Sequence, residues 1–424
     1  MFKQHPPGLR VLFLTEMWER FGFYILMAVF VLYMDEEFGW PDAVKADHYG
    51  LFLAAVYFLP ILGGWLGDRV LGYRATIRLG AGLMVVGYCA LAVSSSDRLA
   101  AFYAGLVLVS TGTGIFKSNM SVTVGGMYEG RPELKDAGFN IYYMGVNLGA
   151  AIAPLAATLV HTLYNSYRIS FAAAAAGMVI ALITFERGRD RLPQLEAQRA
   201  VYTASAEPAG RMSPAETRQR LLALGTLFTI VIFFWIAFYQ NGFALTLFAQ
   251  RATMPSEILR PETYQFFNPF FILLLTPILI GVFAHMRERG REPSSAFKIF
   301  LGMSISGFSM LVMVAAGLAG GDAVANTMSP LWLVAAYFVV TVAEILVSPM
   351  GQSYVTKVAP PRMRGLMIGF WFGATAAGSY GSGLLGRFYG MFPHHQYYLL
   401  IAGLLFFSAV LIVLSLKRLN RFAP

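Results

Sequence analysis

The sequence predicts an all-α integral membrane protein, with twelve transmembrane helices arranged as two six-helix bundles. Three observations carry that prediction. Of 424 residues, 57% are hydrophobic and only 13% are charged, where soluble domains run at about 45–50% and about 25%. Windows of about 20 apolar residues, the length that crosses a bilayer as a helix, are centred near Phe23, Val56, Val85, Leu108, Leu148, Met178, Phe234, Leu273, Gly307, Glu344, Trp371 and Leu405. The stretch from Glu186 to Arg220 is polar, basic and interrupted by Pro193, Pro208 and Pro214, so it reads as a linker. The expected organisation is an N-terminal bundle over residues 1–186, a cytoplasmic linker over 187–219 and a C-terminal bundle over 220–424. Helices are required because a spanning segment must satisfy its own backbone polar groups.

The first span follows a short segment holding Lys3 and Arg10, and lacks a small-residue cleavage site. It is expected to stay in the mature protein. Its "TEMWERFGFY" places Glu16, Glu19 and Arg20 within five residues, and each ionised side chain near a bilayer centre costs roughly 2.5–3.5 kcal/mol. Residues 16, 19, 20, 23, 24 and 27 share one helical face, which must look into the bundle.

Between spans two and three, "GGWLGDRVLGYR" carries Gly64, Asp68 and Arg69. The glycines permit close helix approach, and Asp68 can accept from neighbouring groups at the rim. Span three holds the lone Cys89, so no intramolecular disulfide forms. Span four carries Lys117, about ten residues from the span end, and span ten carries Glu344, roughly 20 Å of helix from Lys357. The loop between spans eight and nine, "AHMRERGREP", keeps charge without the glycine spacing of its counterpart.

Charge orients the chain. With the N-terminus inside, 24 Lys and Arg fall in cytoplasmic segments, 6 fall outside, and Arg20 and Lys117 stay within spans. Both termini are therefore expected in the cytoplasm, in a plasma membrane. The net charge of +9 follows from this topology and a lipid-contacting rim, with no nucleic acid partner.

The five intramembrane charges define the chemistry. Glu16, Glu19 and Glu344 oppose Arg20 and Lys117, leaving a net charge of −1 that one proton neutralises. Ionised residues at that depth usually mark relays or substrate sites, whereas a purely bracing network gains little over apolar packing. "TGTGIFKS" is no nucleotide loop, since Phe116 precedes the lysine within an apolar span. The six histidines lie at span ends or in loops, so carboxylates must move the proton. No nucleophile with its base is evident, and no metal cluster or cofactor is expected beyond the proton as coupling ion. The chain reads as a transporter and not an enzyme.

The plan of six spans, linker and six spans, with the Gly63–Arg74 loop, resembles the major facilitator superfamily, whose halves rock around a midplane site. Glu16, Glu19, Arg20, Phe21 and Tyr24 resemble the E-x-x-E-R-F-x-Y-Y signature of the proton-dependent oligopeptide transporter family. The likeness extends through "YFLPILGGWLGDR" with Tyr57, "GIFKSNMS" with Lys117 and "FNIYYMGVNLGAAIAP" with Asn147. It continues in "FFNPFFILL" with Asn268, "AEILVSPMGQSYVTKVAPPRMRG" with Glu344 and "GFWFGATAAGS" with Trp371.

The resemblance implies proton-coupled entry of di- and tripeptides by alternating access, by a protein functional as a monomer. Glu16, Glu19 and Arg20 would couple the proton. Arg20 and Lys117 would receive the peptide carboxylate, Glu344 its ammonium, and Asn147 and Asn268 its amides or termini. Tyr24, Tyr57, Trp235 and Trp371 would form amphipathic walls. Two positions depart from the family: Tyr239 stands where span seven commonly has an acid, and Met27 where span one often has Arg. Losing both is coherent, because either alone would be stranded. A carrier of nitrate or another small anion is the nearest alternative, although Lys117 together with Glu344 suits a zwitterion better. A proton-driven exporter of drugs stands third.

Overall fold

The computed structural model describes residues 2–192, 212–360 and 363–422; much of the expected linker, with Pro193 and Pro208, lies outside the described residues. The chain divides into two compact units, one of Met1–Trp40 with Ala55–Glu207, the other of Pro41–Ala54 with Pro208–Pro424. Among the described residues there is no β-strand, only two isolated bridges.

The first unit holds α1 (Gly8–Phe38), α3 (Pro60–Arg69), α4 (Tyr73–Ala92), α5 (Leu99–Gly126), α6 (Lys135–Tyr164) and α7 (Arg168–Gly188). Helix α1 packs on α6 and α7, while α4 packs on α5 and α7. Close approach comes from glycine. A Cβ on Gly149 would sit 2.1 Å from the Met17 carbonyl oxygen, and one on Gly145 2.9 Å from that of Phe13. Two glycines four residues apart therefore lay α6 along the face of α1 just before its charged turn.

The second predicted span is two helices in series. The α2 helix (Asp42–Phe58) stops at Leu59 and α3 begins on Pro60, whose missing N–H and fixed φ suit a first helical position but not an interior one. Residues up to Ala54 group with the second unit, and those beyond it with the first.

The second unit holds α8 (Pro214–Phe238), α9 (Ala244–Arg251), α10 (Phe267–Glu288), α11 (Ser295–Ala319), α12 (Leu331–Val358), α13 (Arg364–Gly386) and α14 (His394–Asn420). The Ser213 hydroxyl caps α8 by accepting from the Glu216 N–H, as Ser294 caps α11 through Phe297. A 3₁₀ turn at Tyr239–Gly242 separates α8 from α9. Its buried Gln240 donates to the Ser382 carbonyl and hydroxyl, both at 2.8 Å, and accepts from Tyr397 at 2.8 Å. That satisfied network holds the break in a membrane helix, where an unpaired polar group would be costly.

Eleven helical stretches among the described residues are long and apolar enough to cross a membrane. The twelfth expected span, around Trp371, is α13, a 23-residue helix whose seven glycines lower its mean hydropathy.

Candidate functional site

The α1 helix brings its three charges together in a dry environment: Glu19 is 0% exposed, Glu16 2% and Arg20 4%. The Arg20 guanidinium clasps Glu19 with two hydrogen bonds, Nε to Oε2 and Nη2 to Oε1, the latter at 2.6 Å. Its Nε also lies 3.4 Å from Glu16 Oε1. One guanidinium thus serves two carboxylates, and the Glu16 Oε2 atom is buried without a hydrogen bond.

The surroundings arrive from four other helices. Lys117 on α5 holds its ammonium 5.2 Å over the ring of Tyr57 on α2 and lies in the electrostatic field of Glu16, Glu19 and Arg20. Buried Tyr142 on α6 lies in the electrostatic field of Glu16, Glu19 and Arg20. Tyr88 on α4 seats its ring against Gly22, one turn beyond Glu19, and its buried hydroxyl has no hydrogen-bond partner. The Arg20 guanidinium stacks 5.0 Å over Phe23, a cation–π contact. Tyr24 is half-buried and within the field of Arg20. Phe23, expected on the charged face from its spacing, belongs to this constellation; so do Tyr88 and Tyr142, for which the sequence offered no signal.

Asn147, also on α6, is 4% exposed and donates to the Tyr143 carbonyl at 3.0 Å. The rim motif is built differently from expectation. The residues of α3 that touch α5 are Gly63 and Gly67: an added Cβ would lie 2.5 Å from Ile115 Cα and 1.7 Å from Asn119 Oδ1, respectively. A Cβ on Gly64 would meet nothing within 4 Å, because a residue next to Gly63 is turned about 100° away on a helix. Asp68 accepts from the Tyr73 hydroxyl at 2.8 Å, and Arg69 ends α3. Asn119 fastens the contact by donating to the Gly63 carbonyl at 2.8 Å.

In the second unit, Asn268 on α10 donates from Nδ2 to Glu344 Oε2 at 2.8 Å and lies 3.1 Å from the Thr341 hydroxyl, both on α12. The carboxylate is thus aimed by an amide and keeps acceptor capacity. Trp235 stacks on Tyr239 at 5.5 Å with an interplanar angle of 24°, and its indole N–H is buried without a partner. Tyr239 is buried and its backbone carbonyl accepts from the Tyr49 hydroxyl at 3.0 Å, while in the first unit Met27 is 6% exposed. Trp371 is 1% exposed with its ring against Gly351, a glycine whose lack of side chain admits the indole.

Sequence reasoning also missed a set of ion pairs where Pro41–Ala54 meets the rest of the second unit. Arg251 forks onto Asp42 at 2.7 and 2.8 Å, and the ammonium of buried Lys45 lies 2.9 Å from the same carboxylate. Arg387 grips Asp47 at 2.5 and 2.9 Å.

Comparisons with known proteins follow the same lines. A family model described as the POT family matches residues 74–208 and 198–400. The "Peptide transporter YePEPT" of Yersinia enterocolitica subsp. palearctica serotype O:3 (strain YE-P4) is 31% identical, covering 91% of this chain and 88% of that protein. A "Di-/tripeptide transporter" of Lactococcus lactis subsp. cremoris is 32% identical, covering 88% of this chain and 87% of its own. Among solved structures, a variant of peptide transporter POT in complex with alafosfalin has a TM-score of 0.88 and 30% identity, covering 100% of this chain and 97% of that one.

Proposed function

The chain belongs to the POT family, and on that premise we propose that it is a proton-coupled symporter importing di- and tripeptides by alternating access. The observation that carries the mechanism is the shared guanidinium of α1. Arg20 holds Glu19 with two bonds and Glu16 at longer range. A carboxylate arriving with substrate competes for that guanidinium, and a carboxylate of α1 released from it must find another partner or take a proton. Substrate entry and proton uptake are thereby linked through one side chain. Lys117 supplies a second cation for the carboxylate end of a peptide, and Glu344, aimed by Asn268, supplies an acceptor for an ammonium. These features suit a zwitterion.

The reading places the protein in a bacterial inner membrane, with both termini in the cytoplasm and the monomer as working unit. The test is uptake of a labelled dipeptide into proteoliposomes, with an inward proton gradient present or collapsed by an uncoupler. Accumulation above equilibrium only with the gradient, lost in Glu19→Gln, supports the assignment. Gradient-independent uptake by folded wild type would refute coupling, and no peptide uptake would refute the substrate class.

A further inference from the structure

The 3₁₀ turn Tyr239–Gly242, buried along its whole length, is held by groups from several other elements. The Tyr239 carbonyl accepts from the Tyr49 hydroxyl at 3.0 Å, the Asn241 carbonyl accepts from Tyr337 on α12 at 3.1 Å, and Gln240 is satisfied by Ser382 and Tyr397. The carboxamide of Asn241 is the exception. The residue is 9% exposed, and its Nδ2 and Oδ1 atoms are both buried without a hydrogen bond. A buried polar group left unpaired in a folded chain calls for an explanation, and here the donor and the acceptor of one side chain are both unpaired. Tyr49 covers the adjoining residue: a Cβ on Gly242 would lie 2.2 Å from its hydroxyl, so the glycine beside Asn241 is what admits the ring. Tyr49 belongs to Pro41–Ala54, the segment of α2 grouped with the second unit.

We propose that Asn241 is a conformational counterweight, its unmet carboxamide opposing the docking of Pro41–Ala54 on the turn so that this contact can open during transport. The inference rests on the alternating-access reading. With Tyr49 in place, the Tyr239 carbonyl has its donor and the Asn241 amide is cut off from water. With Tyr49 withdrawn, water reaches both groups. Docking therefore gains one hydrogen bond and strips another group of its partners, and the two effects oppose each other. An apolar residue at 241 would leave the first effect unopposed and weight the equilibrium toward the docked arrangement.

Asn241→Leu keeps the side-chain volume and removes both polar ends. Hydrogen exchange of the purified protein, read by mass spectrometry over residues 42–54 and 239–251, should slow about tenfold, the size of one unmet buried polar group. Tyr49→Phe removes the opposing bond and should speed the same exchange about fivefold; the double substitution should fall between the two. In proteoliposomes, Asn241→Leu should lower the maximal rate of dipeptide uptake about tenfold with KM within about twofold of wild type, because undocking becomes the slow step. Tyr49→Phe in the same chain should recover part of that rate, which it would not do for a merely destabilised variant. Exchange in Asn241→Leu equal to or faster than in wild type would overturn the proposal, as would slowed exchange with an unchanged uptake rate. Should leucine prove too bulky to fold, Asn241→Met, whose side chain fits irregular space, carries the same expectations. Exchange needs no substrate, so if wild type takes up no peptide the peptide reading falls while exchange still decides whether Asn241 opposes docking.

Discussion

At the residue scale, the arrangement around Glu344 makes a test of substrate recognition. Asn268, itself bonded to the Thr341 hydroxyl, holds this side chain within the unit, and a Gln at 344 can still accept from Asn268. Glu344→Gln therefore removes the charge and leaves the scaffold. The ammonium end of a peptide then loses a charge-assisted hydrogen bond, a loss of about 1.5–3 kcal/mol, so KM for a free dipeptide rises about tenfold or more. Discrimination between a dipeptide and its N-acetylated form narrows by about the same factor. Competition assays read both, and an unchanged preference for the free amine would remove Glu344 from the substrate site. The charges behind this prediction were legible in the sequence because burying them in a membrane is costly enough to demand a reason. Tyr142 and Tyr88 were not, since 15% of residues are aromatic and nothing in their spacing separates an ordinary packing ring from one buried near the charged turn of α1.

At the element scale, the contact between α1 and α6 depends on an absent side chain. A Cβ at Gly149 would meet the Met17 carbonyl oxygen at 2.1 Å, and backbone cannot yield as a side-chain tip can. Gly149→Leu must push α6 off α1. The expected outcome is a fall of at least about 5 °C in the melting midpoint of purified protein, with loss of uptake. Gly225→Ala, where a Cβ meets nothing within 4 Å, serves as the neutral comparison. The helices themselves were read from apolar runs, but the break at Leu59, the 3₁₀ turn at Tyr239–Gly242 and the use of Gly63 and Gly67 instead of Gly64 were not. Each depends on which neighbour a face meets, and a single chain's periodicity does not say.

The loop between α10 and α11 carries a prediction about pH. Glu292 is held at about 2, well below the ordinary carboxylate range, by hydrogen bonds from Arg287 and then Lys298, which outweigh its burial. A lowered folded-state value means that the contribution to stability is complete above the unfolded value of about 4.3. It is lost as pH falls from there through about 2. Glu292→Gln should thus lower the melting midpoint at neutral pH by about 2 °C, because Lys298, only 5% exposed, loses its counter-charge. The difference from wild type should stay constant from pH 7 to about 5.5 and shrink below about 4. A deficit that grew on acidification would contradict the pairing.

At the scale of the whole molecule, the working cycle makes a demand on the segment Pro41–Ala54. This segment belongs by sequence to the first six spans, yet it is grouped with Pro208–Pro424, tied by Asp42 to Arg251 and by Asp47 to Arg387. Gly50 and Gly383 allow backbone contact there: a Cβ on Gly50 would lie 2.6 Å from Gly383 Cα. If the protein moves peptides by alternating access, these ties form and break once per cycle. The pair of Asp47 and Arg387 is half-exposed, so it contributes little to net stability and is suited to repeated opening. Placing cysteines at both positions in a Cys89→Ser background, the native thiol being exposed, allows a short bis-thiosulfonate to bridge them. The bridged protein should lose dipeptide uptake almost completely and regain it on reduction, while either single cysteine with the same reagent transports as before. Uptake that survives complete bridging would mean that this segment stays in place throughout the cycle, and the moving contact would then have to be sought elsewhere in the molecule.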